Sequence, residues 1–199
     1  MISTNAFRTP AIAGALVLAL VAAPALADSP AAKTDAKAKE SAAWTPPQPG
    51  AEHARLKNSV GKWKINQKAT FDPSKPPVIG EGTEECTLIC NGLFLRSDYH
   101  VKDANGDFYG AGVLGYDTMK KKYTGTWVDS YSTMNHPYEG TCEGNTCTFN
   151  MVVLGEDGKP MSMTLIFEEV DKDHRKFTMR CPGPDGQLMT TMETMYTRM

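Results

Sequence analysis

The chain has 199 residues and a formal net charge of −2, from 21 Lys and Arg against 23 Asp and Glu, and 41% of its residues are hydrophobic. That length supports one globular domain with a sizeable core. The charge balance argues against a nucleic-acid partner: Lys33, Lys37 and Lys39 are diluted by alanine, and Lys120, Lys121 and Lys122 share one turn, so no basic face is formed.

Arg8 precedes an apolar run over residues 11–23, and Ala25-Leu26-Ala27 follows as a small-x-small cleavage pattern. This predicts a secretory signal peptide over residues 1–27, removed after Ala27. The apolar run is shorter than the about 20 residues that span a bilayer, Pro24 ends it, and no cysteine stands at the cleavage site to carry a lipid. The expected address is periplasmic or secreted, without stable membrane insertion. Residues 28–50 are rich in Ala, Lys and Pro and read as a disordered tether, leaving residues 51–199 as the folded domain.

Helix-forming residues over 51–60 are stopped by Gly61. A strand then opens, in which Trp63, Ile65, Gln67, Ala69 and Phe71 alternate with Lys64, Asn66, Lys68 and Thr70. Further strands are predicted near 80–88, 94–102, 108–116, 123–130, 137–142, 147–154, 161–170, 176–181 and 188–198, separated by Gly, Pro, Asn and Asp punctuation. Every connection is too short for a crossover helix. The fold class is therefore all-β: an antiparallel up-and-down β-barrel of about 8–10 strands, lipocalin-like in form, preceded by a short helix; closure removes exposed strand edges.

Register follows from the polar turn at residues 117–122. Tyr116 faces Tyr123, and Leu114, Gly112 and Gly110 then face Gly125, Trp127 and Asp129. In the preceding hairpin Val101 faces Phe108, so Tyr99, Ser97 and Leu95 face Gly110, Gly112 and Leu114. The opposite side of that strand holds Arg96, Asp98, His100 and Lys102, which belong in water. The expected interior is thus Leu95, Ser97, Tyr99, Gly110, Gly112, Leu114, Tyr116, Tyr123, Gly125, Trp127 and Asp129. Large aromatics beside glycines suit the wall of a cavity for a small apolar or amphipathic ligand, with Asp129 as its polar end and the Tyr99 hydroxyl as the donor to it; a satisfied Tyr99–Asp129 core pair and close packing of Trp127 on Gly112 are the structural alternatives.

Gly110-Ala-Gly-Val-Leu-Gly115 spells the dinucleotide fingerprint, but that chemistry requires a helix after it, and here a turn and a strand follow. No nucleophile elbow or zinc-protease helix occurs, and Glu84-Glu85 and Glu168-Glu169 each divide between two strand faces. No catalytic residue is assigned; Asp129 as a general base is the enzyme alternative, and a filled barrel acting as an interaction module is a third reading. His53, His100, His136 and His174 are scattered without ligand spacing, so neither metal nor cofactor is expected. Met161, Met163, Met189, Met192, Met195 and Met199 could hold a soft cuprous ion, yet Met189 and Met192 differ in strand parity, which favours plain apolar lining. Among five cysteines, Cys142 and Cys147 flank a short turn and are expected to be bonded; Cys86, Cys90 and Cys181 are left open.

Gly61-Lys62-Trp63 at the first strand and Tyr196-Thr197-Arg198 at the last resemble the calycin superfamily of lipocalins and fatty-acid-binding proteins. The resemblance implies that Trp63 and Arg198 pack together where the barrel closes. Residues 53–198 also resemble a bacterial domain-of-unknown-function family through Leu56-Lys-Asn-Ser-Val-Gly61-Lys-Trp63, Asn91-Gly-Leu-Phe-Leu95, Gly115-Tyr-Asp-Thr-Met-Lys-Lys-Lys-Tyr123, Thr126-Trp-Val-Asp-Ser130 and Pro184-Asp-Gly186. That family implies the barrel and brings no activity with it.

Overall fold

A computed structural model describes residues 44–199 apart from 71, 156–157 and 184–185. The expected signal peptide and most of the expected tether lie outside the described residues. Thr45–Met199 forms one compact unit. It begins with a short helix, α1 (Ala51–Leu56), and a 3-10 turn (Lys57–Ser59). Ten strands follow: β1 (Gly61–Ala69), β2 (Val78–Ile89), β3 (Phe94–Asp103), β4 (Gly106–Asp117), β5 (Lys122–Asp129), β6 (His136–Glu143), β7 (Thr146–Leu154), β8 (Pro160–Glu169), β9 (His174–Pro182) and β10 (Leu188–Arg198). Each pairs antiparallel with its neighbour in sequence, and β10 returns to β1 to close the barrel.

Alternation decides what faces inward. In β1 the side chains of Trp63, Ile65, Gln67 and Ala69 are buried while Lys62, Lys64, Asn66 and Lys68 are exposed. The two hairpins β3–β4 and β4–β5 have the register read from sequence, with Tyr99 opposite Gly110, Gly112 opposite Trp127 and Tyr116 opposite Tyr123. The fingerprint glycines lie along β4, which runs into a turn and then β5, without a helix.

Two details correct the sequence reading. His174 and Arg175, expected in a turn, open β9, where Arg175 pairs with Glu169 on one side and Tyr196 on the other. Polar residues next to Asp171 look like loop, but the ladder continues through them. In β10 a bulge falls between Thr190 and Met192, so Met189 faces Cys181 and Met192 faces Met179. The one extra residue restores Met189 and Met192 to the same face of the strand, which removes the parity argument made above.

Trp63 is opposite Arg198 in the closing pair, and the Arg198 guanidinium lies 4.1 Å from the Trp63 ring. Arg198 also donates to the carbonyls of Val60, Asn58 and Lys172, and the Trp63 indole N–H donates to the Ser59 carbonyl. These bonds fasten the segment after α1 to the barrel end. Across the same end, the Arg55 guanidinium donates to the Gly144 carbonyl at 2.6 Å, and the Tyr123 hydroxyl donates to the Glu52 carbonyl at 3.0 Å. Among the described residues, the opposite end of the barrel carries the connections β1–β2, β3–β4, β5–β6, β7–β8 and β9–β10. Cys142 and Cys147 face each other across the β6–β7 hairpin and are bonded, while Cys86, Cys90 and Cys181 are free. So short a loop makes the bond a local staple of about 2 kcal/mol.

Candidate functional site: the barrel interior

The interior is not filled. A cavity of about 530 Å³ runs from beneath α1 to the opposite end of the barrel, where Asn105, Tyr131 and Ser132 form part of its rim. Of the side chains expected to face it, Leu95, Ser97, Tyr99, Leu114, Tyr123, Trp127 and Asp129 line it, as does Gly112. Gly110, Tyr116 and Gly125 do not. A methyl carbon on Gly110 would meet the Trp127 ring at 2.1 Å, and one on Gly125 would meet the Tyr138 ring at 2.4 Å. These two glycines admit rings from neighbouring strands rather than leaving space. Tyr116 packs edge-on against His53 of α1 and against Tyr123. The glycines were expected to leave cavity space; Gly112 borders it, while at Gly110 and Gly125 the Trp127 and Tyr138 rings take that space.

The polar end is also placed differently. The Tyr99 hydroxyl donates to Gln67 Oε1 at 2.7 Å, not to Asp129. Asp129 accepts from the indole N–H of Trp127 at 3.0 Å and from the backbone N–H of Tyr131 at 2.9 Å, at the rim. It holds the Trp127 ring and the start of the β5–β6 connection.

The floor beneath α1 carries the charge. Glu84 of β2 and Arg175 of β9 both line the cavity, and the Arg175 guanidinium donates to Glu84 Oε2 at 2.5 Å. Their side chains are only 11% and 13% exposed, which makes this a buried pair unlike the surface bridges elsewhere on the barrel. The guanidinium lies 3.9 Å from the Trp63 ring and 4.6 Å from the Tyr196 ring. Its Nε is buried without a hydrogen-bond partner among the described residues. The sequence expectation did not include Gln67, Glu84 or Arg175 among the cavity-lining residues. The first two had a signal, because Gln67 shares parity with Trp63 and Glu84 shares parity with Gly82 and Cys86. Arg175 had none once its segment read as a turn.

Burial and the Glu84 charge act together on the acids around this floor. Burial pushes the Cys86 thiol up to about 12, with Glu84 as the second cause. The phenols of Tyr99, Tyr138 and Tyr196 are likewise held above the ordinary tyrosine range, by burial first and Glu84 next. These are acids whose folded values exceed their unfolded ones. Their contribution to stability is complete below about pH 8.5 for the thiol and about pH 10 for the phenols, and it is lost as pH rises toward the folded values. We expect Tyr99, Tyr138 and Tyr196 to ionise only as the barrel unfolds in alkali. Tyrosinate absorbance followed together with circular dichroism reads this; ionisation of these three phenols with the fold intact would contradict it.

The far wall is supplied by strands that the sequence reading did not develop. Tyr138, Phe149, Met151, Leu165, Met163 and Met179 all line the volume, and the Tyr138 and Phe149 rings meet edge to face. The cavity therefore has an apolar body, the ion pairs Glu84–Arg175 and Arg55–Glu169 toward α1, and Asp103 and Asp129 near its opposite rim. That combination defines a lipocalin-like barrel with an open interior. The chain belongs to a family described as protein of unknown function, DUF1579, whose model matches residues 48–198.

Solved structures with the same fold include an S-type phycobiliprotein lyase CPES from Guillardia theta. It has 13% identity and a TM-score of 0.52, with 74% of this chain and 92% of that one covered. Rv2717c from M. tuberculosis matches at 12% identity with a TM-score of 0.57, covering 75% of this chain and 98% of that one. At such identities the likeness is one of fold. No curated protein matches the sequence.

Proposed function

We propose that this protein is a non-enzymatic binder of a small apolar or amphipathic ligand held inside the barrel, and that it works outside the cytoplasm after cleavage behind Ala27. The observation that supports the binding reading is the open volume of about 530 Å³, lined mainly by apolar and aromatic side chains. This is the size and character of sites that enclose one small molecule. A phycobiliprotein lyase among the structural neighbours is compatible with a barrel that handles a small molecule. Export rests on Arg8, the apolar run and Ala25-Leu26-Ala27.

Native mass spectrometry of the protein taken from the exported fraction of its own cells tests both parts. The expected result is a chain beginning at Asp28 that carries an additional small mass. Ser97→Phe, which directs a ring into the open volume beside Gly112, is expected to lose that mass while the melting temperature stays within a few degrees. A chain retaining its first residues would overturn the address. Absence of any retained mass, with no uptake of an apolar fluorescent probe, would overturn the binding reading. If the interior were packed, Ser97→Phe would instead destabilise by about 1–3 kcal/mol.

A further inference from the structure

We propose that Glu84 sets the charge of the ligand: the cavity accepts an amphiphile with an uncharged polar head, such as a long-chain alcohol, ester or amide, and rejects the corresponding carboxylate. The inference rests on the binding reading above and deepens it. Arg175 alone at the floor of an apolar cavity would attract an anionic head group. Here that place is already taken, because the Glu84 carboxylate accepts the Arg175 Nη2 N–H inside the barrel. Among the described residues, the only other guanidinium or ammonium group on the lining is that of Arg55, which faces Glu169 at 3.4 Å, and the imidazole of His136 stands at the opposite end, where β6 begins. Asp103 and Asp129 add further negative charge toward the rim. An entering carboxylate would therefore give up its water and meet acids whose matching cations are already engaged.

Glu84 lies on the lining of the volume with its side chain only 11% exposed, on the same face of β2 as Cys86. In keeping with that position, burial first and the Glu84 charge second hold up the Cys86 thiol and the phenols of Tyr99, Tyr138 and Tyr196, which stand on β3, β6 and β10. The floor still offers hydrogen bonds to a neutral head. Gln67 and Tyr196, whose side chains carry an amide and a hydroxyl, stand on the same lining.

The test uses the full folded domain and three dansyl-tagged probes of equal chain length: an alcohol, a methyl ester and a carboxylic acid. For the parent protein the alcohol and the ester are expected to bind at least about tenfold more tightly than the acid at neutral pH. Glu84→Gln uncovers Arg175, so the acid should gain about tenfold while the alcohol changes less than about threefold. Adding the acid should also raise the melting temperature of that variant. Should Glu84→Gln fail to fold, Glu84→Ser, which admits water to Arg175, is read in the same way. Equal binding of acid and alcohol by the parent, or no gain for the acid in either variant, overturns the role of Glu84 and leaves the cavity a binding site. Failure of the parent to bind any of the three overturns the binding reading, and this inference with it.

Discussion

Arg175→Met is expected to lower the stability of the domain by about 3–5 kcal/mol, because it leaves the Glu84 carboxylate buried without its cation. The pair is nearly enclosed, at 11% and 13% side-chain exposure, so solvent screening does little to soften the loss. The guanidinium also packs on the Trp63 and Tyr196 rings, contacts that methionine replaces only in part. The double variant Glu84→Gln/Arg175→Met should recover most of the loss, since both charges are then gone and their desolvation cost disappears. Urea unfolding of the parent, the single variant and the double variant reads the difference. A single variant as stable as the parent would mean that water reaches the floor of the cavity, and the ion pair would then have little hold on the barrel.

Trp63→Ala is the second large effect, with an expected loss of about 3–5 kcal/mol. Trp63 is 1% exposed, and its indole N–H is the tie to the Ser59 carbonyl. Its removal opens a void under two guanidinium groups and frees the turn that carries α1 across the barrel end. Closure of the barrel depends on the β1–β10 ladder, in which Trp63 is the residue opposite Arg198. Thermal unfolding gives the stability, and hydrogen exchange of β1 and β10 amides shows whether the seam opens ahead of the remaining strands. A loss below about 1 kcal/mol, with unchanged exchange at the seam, would show that α1 and the seam hold without the indole.

The ten strands could be read from the sequence because each of two local signals is strong here. Turn residues punctuate the chain at short, regular spacing, and apolar residues alternate between punctuation marks. Connections of a few residues permit only antiparallel neighbours, so strand order followed without knowledge of any long-range contact. Register in the β3–β4 and β4–β5 hairpins followed too, because it is set by turn length and by the need to keep Arg96, Asp98, His100 and Lys102 in water. The Cys142–Cys147 bond belongs to the same class: two cysteines across a tight turn are neighbours by local geometry alone.

Quantities that depend on strands meeting across the barrel were beyond such reasoning. Gly110 and Gly125 looked like room for a ligand, but in the closed barrel the Trp127 and Tyr138 rings fill it. The bulge at Thr191 moves Met192 to the side of Met189, and no periodicity in the residues marks where the extra one is absorbed. Asp129 looked like the interior acid because its parity is inward, yet a residue at the end of a strand sits at the rim whatever its parity. Glu84 and Arg175 are separated by 91 positions, and neither signals the other. What the sequence determined by itself was the set of strands, their order and much of their local pairing, because these are fixed by the backbone over a few residues. What only the tertiary structure decided was the polar floor and the open volume. Burial of that ion pair and the space left above it arise when residues from β2 and β9 are brought together by closing the sheet on itself.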